Sequence, residues 1–227
     1  SMTELNFPYY RMPGAAMLSR MLDKVPPSFI FSIKAHKSLT HEIDADISSS
    51  CDEYIRAITP LREAERLGAI LFQFPYSFHY TDENRRCLDR IFKRFEGLPS
   101  AAEFRNSEWI RDSVFDALKE RNVAFVNVDE PDLPRLIRPG QTVTAALAYV
   151  RFHGRNKKDW WQGTNTSRYD YLYSKEELQP WVERIEKMTE KAKFILVAFN
   201  NHYKGQAVKN AKEFEAMLKE KGLEVVE

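Results

Sequence analysis

Two hydrophobic patterns alternate along the chain. The first is a short run of apolar, β-branched or aromatic residues closing on a polar side chain. Leu5 to Tyr10, Phe29 to Lys34, Ala69 to Phe74, Ala101 to Arg105, Val123 to Asp129, Ala145 to His153 and Lys193 to Asn200 all have this form. Near-continuous apolar runs of this length predict strands of a parallel sheet covered on both faces. The second pattern has helical spacing. Met17, Leu18, Met21, Leu22 and Val25 form one stripe, and Leu88, Ile91, Phe92 and Phe95, behind Thr81 as N-cap, form another. Val114, Phe115 and Leu118 make a third, and Ala207, Ala211, Phe214 and Leu218 the last. Between them, Leu178, Trp181, Val182, Ile185 and Met188 follow Ser174, which with Glu177 predicts a capping box. Pro60 and Pro180 fall inside helical stretches and predict a kink or a fresh helical start.

Strands alternating with helices through short connections predict βαβ units and a parallel sheet. No Gly-rich dinucleotide turn follows any strand, which favours a TIM-like (β/α) barrel over an open, doubly wound α/β sheet. Seven strands are recognisable where a closed barrel ordinarily has eight. Because the sequence opens almost directly on a strand, the first strand is expected to be absent. No linker, low-complexity tract or charge block interrupts the pattern, so residues 1–227 read as one barrel domain.

Composition narrows the function classes. Charged residues make up 30 % of the chain and no apolar run approaches the roughly 20 residues needed to cross a bilayer, so no membrane association is expected. The N-terminus has no signal-peptide pattern, and a cytoplasmic location is the expectation. A net charge of +1 provides no global attraction for nucleic acid, so any anion must be held by a local cluster. Cys51 and Cys87 lack partners at metal-ligand spacing and read as reduced thiols, not as a zinc site.

Residues two apart in a strand share a face. That rule pairs Glu4 with Asn6, Ser32 with Lys34, Glu103 with Arg105, and Asn127 with Asp129. It also aligns Tyr149, Arg151 and His153, while Gln73 closes its strand alone and Asn200 precedes Asn201 and His202. Each set lies at the C-terminal end of its strand, where barrel active sites are built. Any one pair, such as Glu103–Arg105 or Asp129–Arg151, reads as an ion pair that satisfies buried charge. Polar groups closing all seven strands together read as a site. Arg151 and Arg155 beside His153 would keep that imidazole neutral. The stretch from Tyr149 to Ser174 is rich in Arg, Lys, Trp and Tyr, including Tyr169. It suits an anionic ligand with flat rings, a sugar platform, or a packed lid. From Gly154 to Tyr173 it is expected to be mobile or to cover the site. Gly205, opening the last helix after Asn200-Asn201-His202, adds a weak signal for an anion site.

Ordered matches along almost the whole chain resemble the domain of unknown function 72 family, also called YecE-like. They are TELNFPYYRMP (3–13), FSIKAHKSLTH (31–41), ILFQFP (70–75), AEFRNSEW (102–109), YVRFHGRN (149–156), RYDYLYSKEEL (168–178) and FNNHYKGQAVKNA (199–211). The resemblance implies a TIM-like barrel and no particular reaction. It also implies a preceding Gly-rich strand with a Gly-Trp motif, which this sequence does not contain.

Three functions fit these residues. The first is hydrolysis of a phosphoester in a small molecule or nucleic acid. Lys34, Arg105, Arg151 and Arg155 would grip the anion, Glu103, Asp129 or His153 would act as general base, and Gln73, Tyr169, Asn200, Asn201 and His202 would complete the binding residues. The second is a carbohydrate-active barrel using Glu4 and Glu103 with Trp160 as platform. The third is a nucleotide or nucleic-acid binding module without catalysis. Glu4, Glu103, Asp129 and His153 are hard ligands, yet no HxH or HExxH spacing supports a metal, and no cofactor is specified.

Overall fold

A computed structural model describes residues 1–43, 46–164 and 166–226; position 165, inside the aromatic loop singled out above, lies outside them. The described elements alternate as the pattern predicts. They are β1 (Met2–Leu5), α1 (Ala15–Leu22), β2 (Ile30–Lys34), α2 (Ile47–Glu63), β3 (Leu67–Gln73), α3 (Asp82–Arg94) and β4 (Ser100–Glu103). Then come α4 (Asp112–Glu120), β5 (Ala124–Asp129), β6 (Leu147–Phe152), α5 (Lys175–Thr189), β7 (Phe194–Phe199) and α6 (Gln206–Glu220). The strands follow one another in chain order. Parallel strands in sequential order with intervening helices define the TIM-like (β/α)-barrel class, whereas a doubly wound sheet reverses its order part-way. The chain divides into two compact units, residues 1–124 and 125–226.

In the first unit, β1 pairs in parallel with β2, β2 with β3, and β3 with β4. The first strand is therefore present, contrary to the expectation from sequence. It is also shorter and earlier than the run Leu5 to Tyr10. At Asn6 the backbone turns into the right-handed helical region and Phe7–Tyr9 form a 3₁₀ turn with Pro8 near its start. Proline cannot donate to a strand ladder, so the aromatic run that looks strand-like cannot continue β1. Registers set Gln73 beside Glu103 and Glu4 beside Ser32, which brings the polar strand ends together. The core beneath them is aromatic: Phe72 meets Phe92 and Phe95 edge-on, and Trp109 stacks on Phe78 and Phe104. Cys51 and Cys87 are free and buried in this core, and burial pushes the Cys51 thiol up to about 12.

In the second unit, β5, β6 and β7 pair in parallel. Phe152 stacks on Phe199 at 4.4 Å and meets Trp181 and Phe214 edge-on, which fastens α5 and α6 over β6 and β7. The capping box forms as predicted: Ser174 Oγ accepts from the Glu177 N–H and Glu177 Oε2 accepts from the Ser174 N–H. Pro60 and Pro180 each remove one ladder bond, yet α2 and α5 continue through them. Buried neighbours Ile58 and Leu61, and Trp181 and Val182, hold these turns against the sheet. Among the described residues no helix is long and apolar enough to cross a membrane.

Candidate functional site

Within the first unit, β2, β3 and β4 end on Lys34, Gln73 and Glu103. Lys34 Nζ donates to Gln73 Oε1 at 2.8 Å and lies 4.4 Å from the centre of the Tyr9 ring. Glu103 is fully buried, and its Oε1 lies 2.8 Å from Arg105 Nε. A carboxylate held this way fixes its arginine, and that fits a holding role better than proton transfer. Glu4, on β1 beside β2, accepts from Asn6 Nδ2 at 3.0 Å.

A further residue joins these strand ends. His41 follows β2 in the loop that contains the 3₁₀ turn Lys37–Leu39. Its ring meets Tyr9 edge-on at 4.8 Å, and its Nδ1 faces Thr40 Oγ1 at 2.9 Å. Burial, and after it the positive charges of Lys34 and Arg105, pull the His41 imidazole down to about 4. It is therefore neutral at physiological pH, with two cations close enough to act on it. Sequence reasoning passed over His41 and Tyr9. The signal was there, since both lie in polar or aromatic segments directly behind a strand.

Within the second unit, Asp129 ends β5 and is fully buried. Its Oδ1 accepts from Arg155 Nε and from the Tyr173 hydroxyl, each at 2.8 Å. Its Oδ2 accepts from Arg155 Nη2 and Trp181 Nε1, each at 2.7 Å. The cation that answers Asp129 is thus Arg155, in a two-pronged grip, where the face rule had offered Arg151. That grip and the neighbouring charges hold the Arg155 guanidinium above its ordinary pKa. Arg155 Nη1 also reaches Glu177 Oε1 at 3.3 Å, and Tyr171 donates its hydroxyl to the same oxygen. With four donors on its two oxygens, Asp129 is arranged to hold structure.

His153 is also fully buried. Its N–H donates to the Asp129 carbonyl at 2.8 Å, and its Nδ1 faces Asn200 Nδ2 at 3.3 Å. An amide donor at Nδ1 leaves the ring proton on Nε2. The Tyr169 ring lies 6.3 Å from His153 and 5.5 Å from His202, so these three rings and Asn200 form one group. Arg151 is buried on β6. Asn201 belongs elsewhere: its Nδ2 donates to the Tyr171 carbonyl and to Asn210 Oδ1, which ties the loop to α6.

The long loop after β6 is folded on itself. Asn156 Nδ2 donates to the Ser167 carbonyl at 2.8 Å and the Thr164 N–H to Ser167 Oγ at 3.0 Å. Trp160 is buried, whereas Trp161 is half exposed, so the paired tryptophans divide between packing and solvent. Among the described residues no group of three or more His, Cys, Asp or Glu is placed to hold a metal ion.

Comparison with known proteins agrees with this architecture. Residues 1–227 match the family model described as "Protein of unknown function DUF72". The UPF0759 protein YunF of Bacillus subtilis (strain 168) is 30 % identical over 237 residues, covering 95 % of this chain and 82 % of that protein. A crystal structure of a DUF72 family protein from Thermotoga maritima MSB8 aligns with TM-score 0.89 and 39 % identity, over 96 % of this chain and 84 % of that one. One from Enterococcus faecalis V583 aligns with TM-score 0.88 and 29 % identity, over the same shares.

Proposed function

As the chain belongs to the DUF72 family, whose description specifies no reaction, its chemistry must be argued from its side chains, and we propose that the first unit binds and hydrolyses a small phosphoester. One observation carries this reading: the Tyr9 ring meets His41 on one side and lies 4.4 Å from Lys34 Nζ, and Lys34, closing β2, and Arg105, just past β4, both bear on that imidazole. Two cations beside a neutral imidazole form an anion site with a proton acceptor at its edge.

The roles follow from the geometry. Arg105, whose Nε lies against Glu103, brings a buried, fixed positive charge to the site. Lys34, steered by Gln73, supplies a second, point-like charge. In phosphoryl transfer the protein contributes chiefly positioning and charge stabilisation, and both cations serve that end. His41 takes the proton of the attacking water. Burial is the first cause of its low proton affinity in the empty site, and a bound phosphate opposes the second, the positive charges of Lys34 and Arg105. Proton affinity then rises when substrate is present. A neutral sugar would not produce that coupling.

The test is titration of the protein with inorganic phosphate and with p-nitrophenyl phosphate, following heat and release of nitrophenolate. Wild type should bind phosphate saturably and turn the ester over. Lys34→Met should weaken phosphate binding at least tenfold, and His41→Gln should keep binding but lose turnover. Absence of phosphate binding by the wild type, or full turnover by His41→Gln, would overturn the reading.

A further inference from the structure

A second feature of the first unit stands apart from the strand ends. α2 packs closely against α1 and against α3, whereas the backbones of α3 and α4 stand further apart. Between them lies a cavity of about 500 Å³. Small-molecule sites usually occupy roughly 300–1,000 Å³, with apolar walls and a few placed polar groups. This cavity has that make-up. Leu88 and Phe92 of α3 and Val114 and Leu118 of α4 form its floor, with Trp109 alongside.

The rim is charged, with an excess of one sign. Arg85, Arg86 and Arg121 line it, against Asp82 and Asp89. Arg85 pairs with Asp82, and Arg121 with Asp89 across the two helices. A fourth cation, Arg111, lies 4.4 Å from the centre of the Tyr80 ring, which itself lines the cavity. Among the residues that line the cavity, Arg86 thus carries the charge that the two aspartates leave over. An apolar floor under a cationic rim complements a molecule with an apolar body and an anionic head.

We infer that the cavity between α3 and α4 is a binding site for a small amphiphilic anion, such as an acyl-chain carboxylate. The inference does not depend on phosphoester hydrolysis at the strand ends, and either can fail without the other.

Decanoate and its uncharged counterpart decanol are the probes, read by displacement of 8-anilinonaphthalene-1-sulfonate fluorescence and by calorimetry. Wild type should bind one decanoate per chain and prefer it to decanol at least tenfold. Ala117 is exposed at the cavity and outside the floor, so Ala117→Phe fills the space without disturbing the core. That variant should lose decanoate binding at least tenfold. Arg86→Glu, a surface change that spares folding if Ala117→Phe does not, should weaken decanoate several-fold and leave decanol unchanged. Lys34→Met should bind decanoate as the wild type does. Equal affinity for decanoate and decanol would overturn the proposal. So would binding that survives Arg86→Glu intact, or a dimer in solution that Ala117→Phe dissociates while decanoate does not bind.

Discussion

Trp181 donates its indole N–H to Asp129 Oδ2 at 2.7 Å, joining the second turn of α5 to the last residue of β5. Both residues are fully buried, and Asp129 has no access to water for its remaining lone pairs. The carboxylate is stable there only because Arg155, Tyr173 and Trp181 together replace its hydration.

Asp129→Asn should therefore be severely destabilising. An amide of the same shape loses the charge that answers Arg155 and turns an N–H₂ toward existing donors. Breaking a buried pair from one side costs about 3–5 kcal/mol. Urea unfolding measures this directly, and a loss below about 1 kcal/mol would show that the network contributes little.

Trp181→Phe removes one donor and part of an aromatic contact with Phe152. A loss of about 2–4 kcal/mol is expected from the orphaned acceptor and the smaller ring. Combined with Asp129→Asn, the loss should fall well short of the sum, because both changes disable one network. Additive losses would mean that the two residues act separately.

Gly154 has φ +85°, and a Cβ placed on it would lie 2.8 Å from Tyr171 Cβ. Gly97 has φ +78° with nothing within 4 Å of such a Cβ. Gly97→Ala should cost about 1 kcal/mol, from backbone conformation alone. Gly154→Ala should cost about 2–4 kcal/mol, since Tyr171 must also move. Equal losses in thermal or urea unfolding would mean that the loop yields freely at Tyr171.

Protonation of His41 links stability to pH. The unfolded chain takes up this proton near pH 6.5, whereas the folded chain does so only near pH 4. Stability is unaffected above about pH 6.5, falls as the pH drops toward 4, and levels off below that. Because the ring is partly exposed, a discounted loss of about 1–2 kcal/mol is expected across that window. His41→Gln should flatten this part of the profile in unfolding experiments between pH 4 and pH 7. An unchanged profile would mean that another group is responsible.

Much of this was readable from the chain. Apolar runs marked β2 to β7 to within a few residues, and Ser174 with Glu177 marked the start of α5, because these signals are local. β1 was misplaced because FPYY has the apolar character of a strand while Pro8 denies it the ladder. The Glu103–Arg105 pair was visible as two residues on one face of a strand. Arg155 was not separable from Arg151 as the partner of Asp129, since Gly154 turns the chain between them and face counting stops at that turn. Tyr173 and Trp181 reach Asp129 from 44 and 52 residues away, and no spacing rule connects such positions.

The hydroxyl of Tyr173 accepts from the Gly154 N–H while donating to Asp129. One oxygen therefore clasps both ends of the loop that follows β6. The segment between therefore leaves and rejoins the scaffold at one point, and Asp170 and Tyr171, near its end, add further ties to Gln206, Asn201 and Glu177. Gly154, Tyr173 and Asp129 thus act as one rivet: loosening any of them frees the start of the loop, the end of the loop and the close of β5 together.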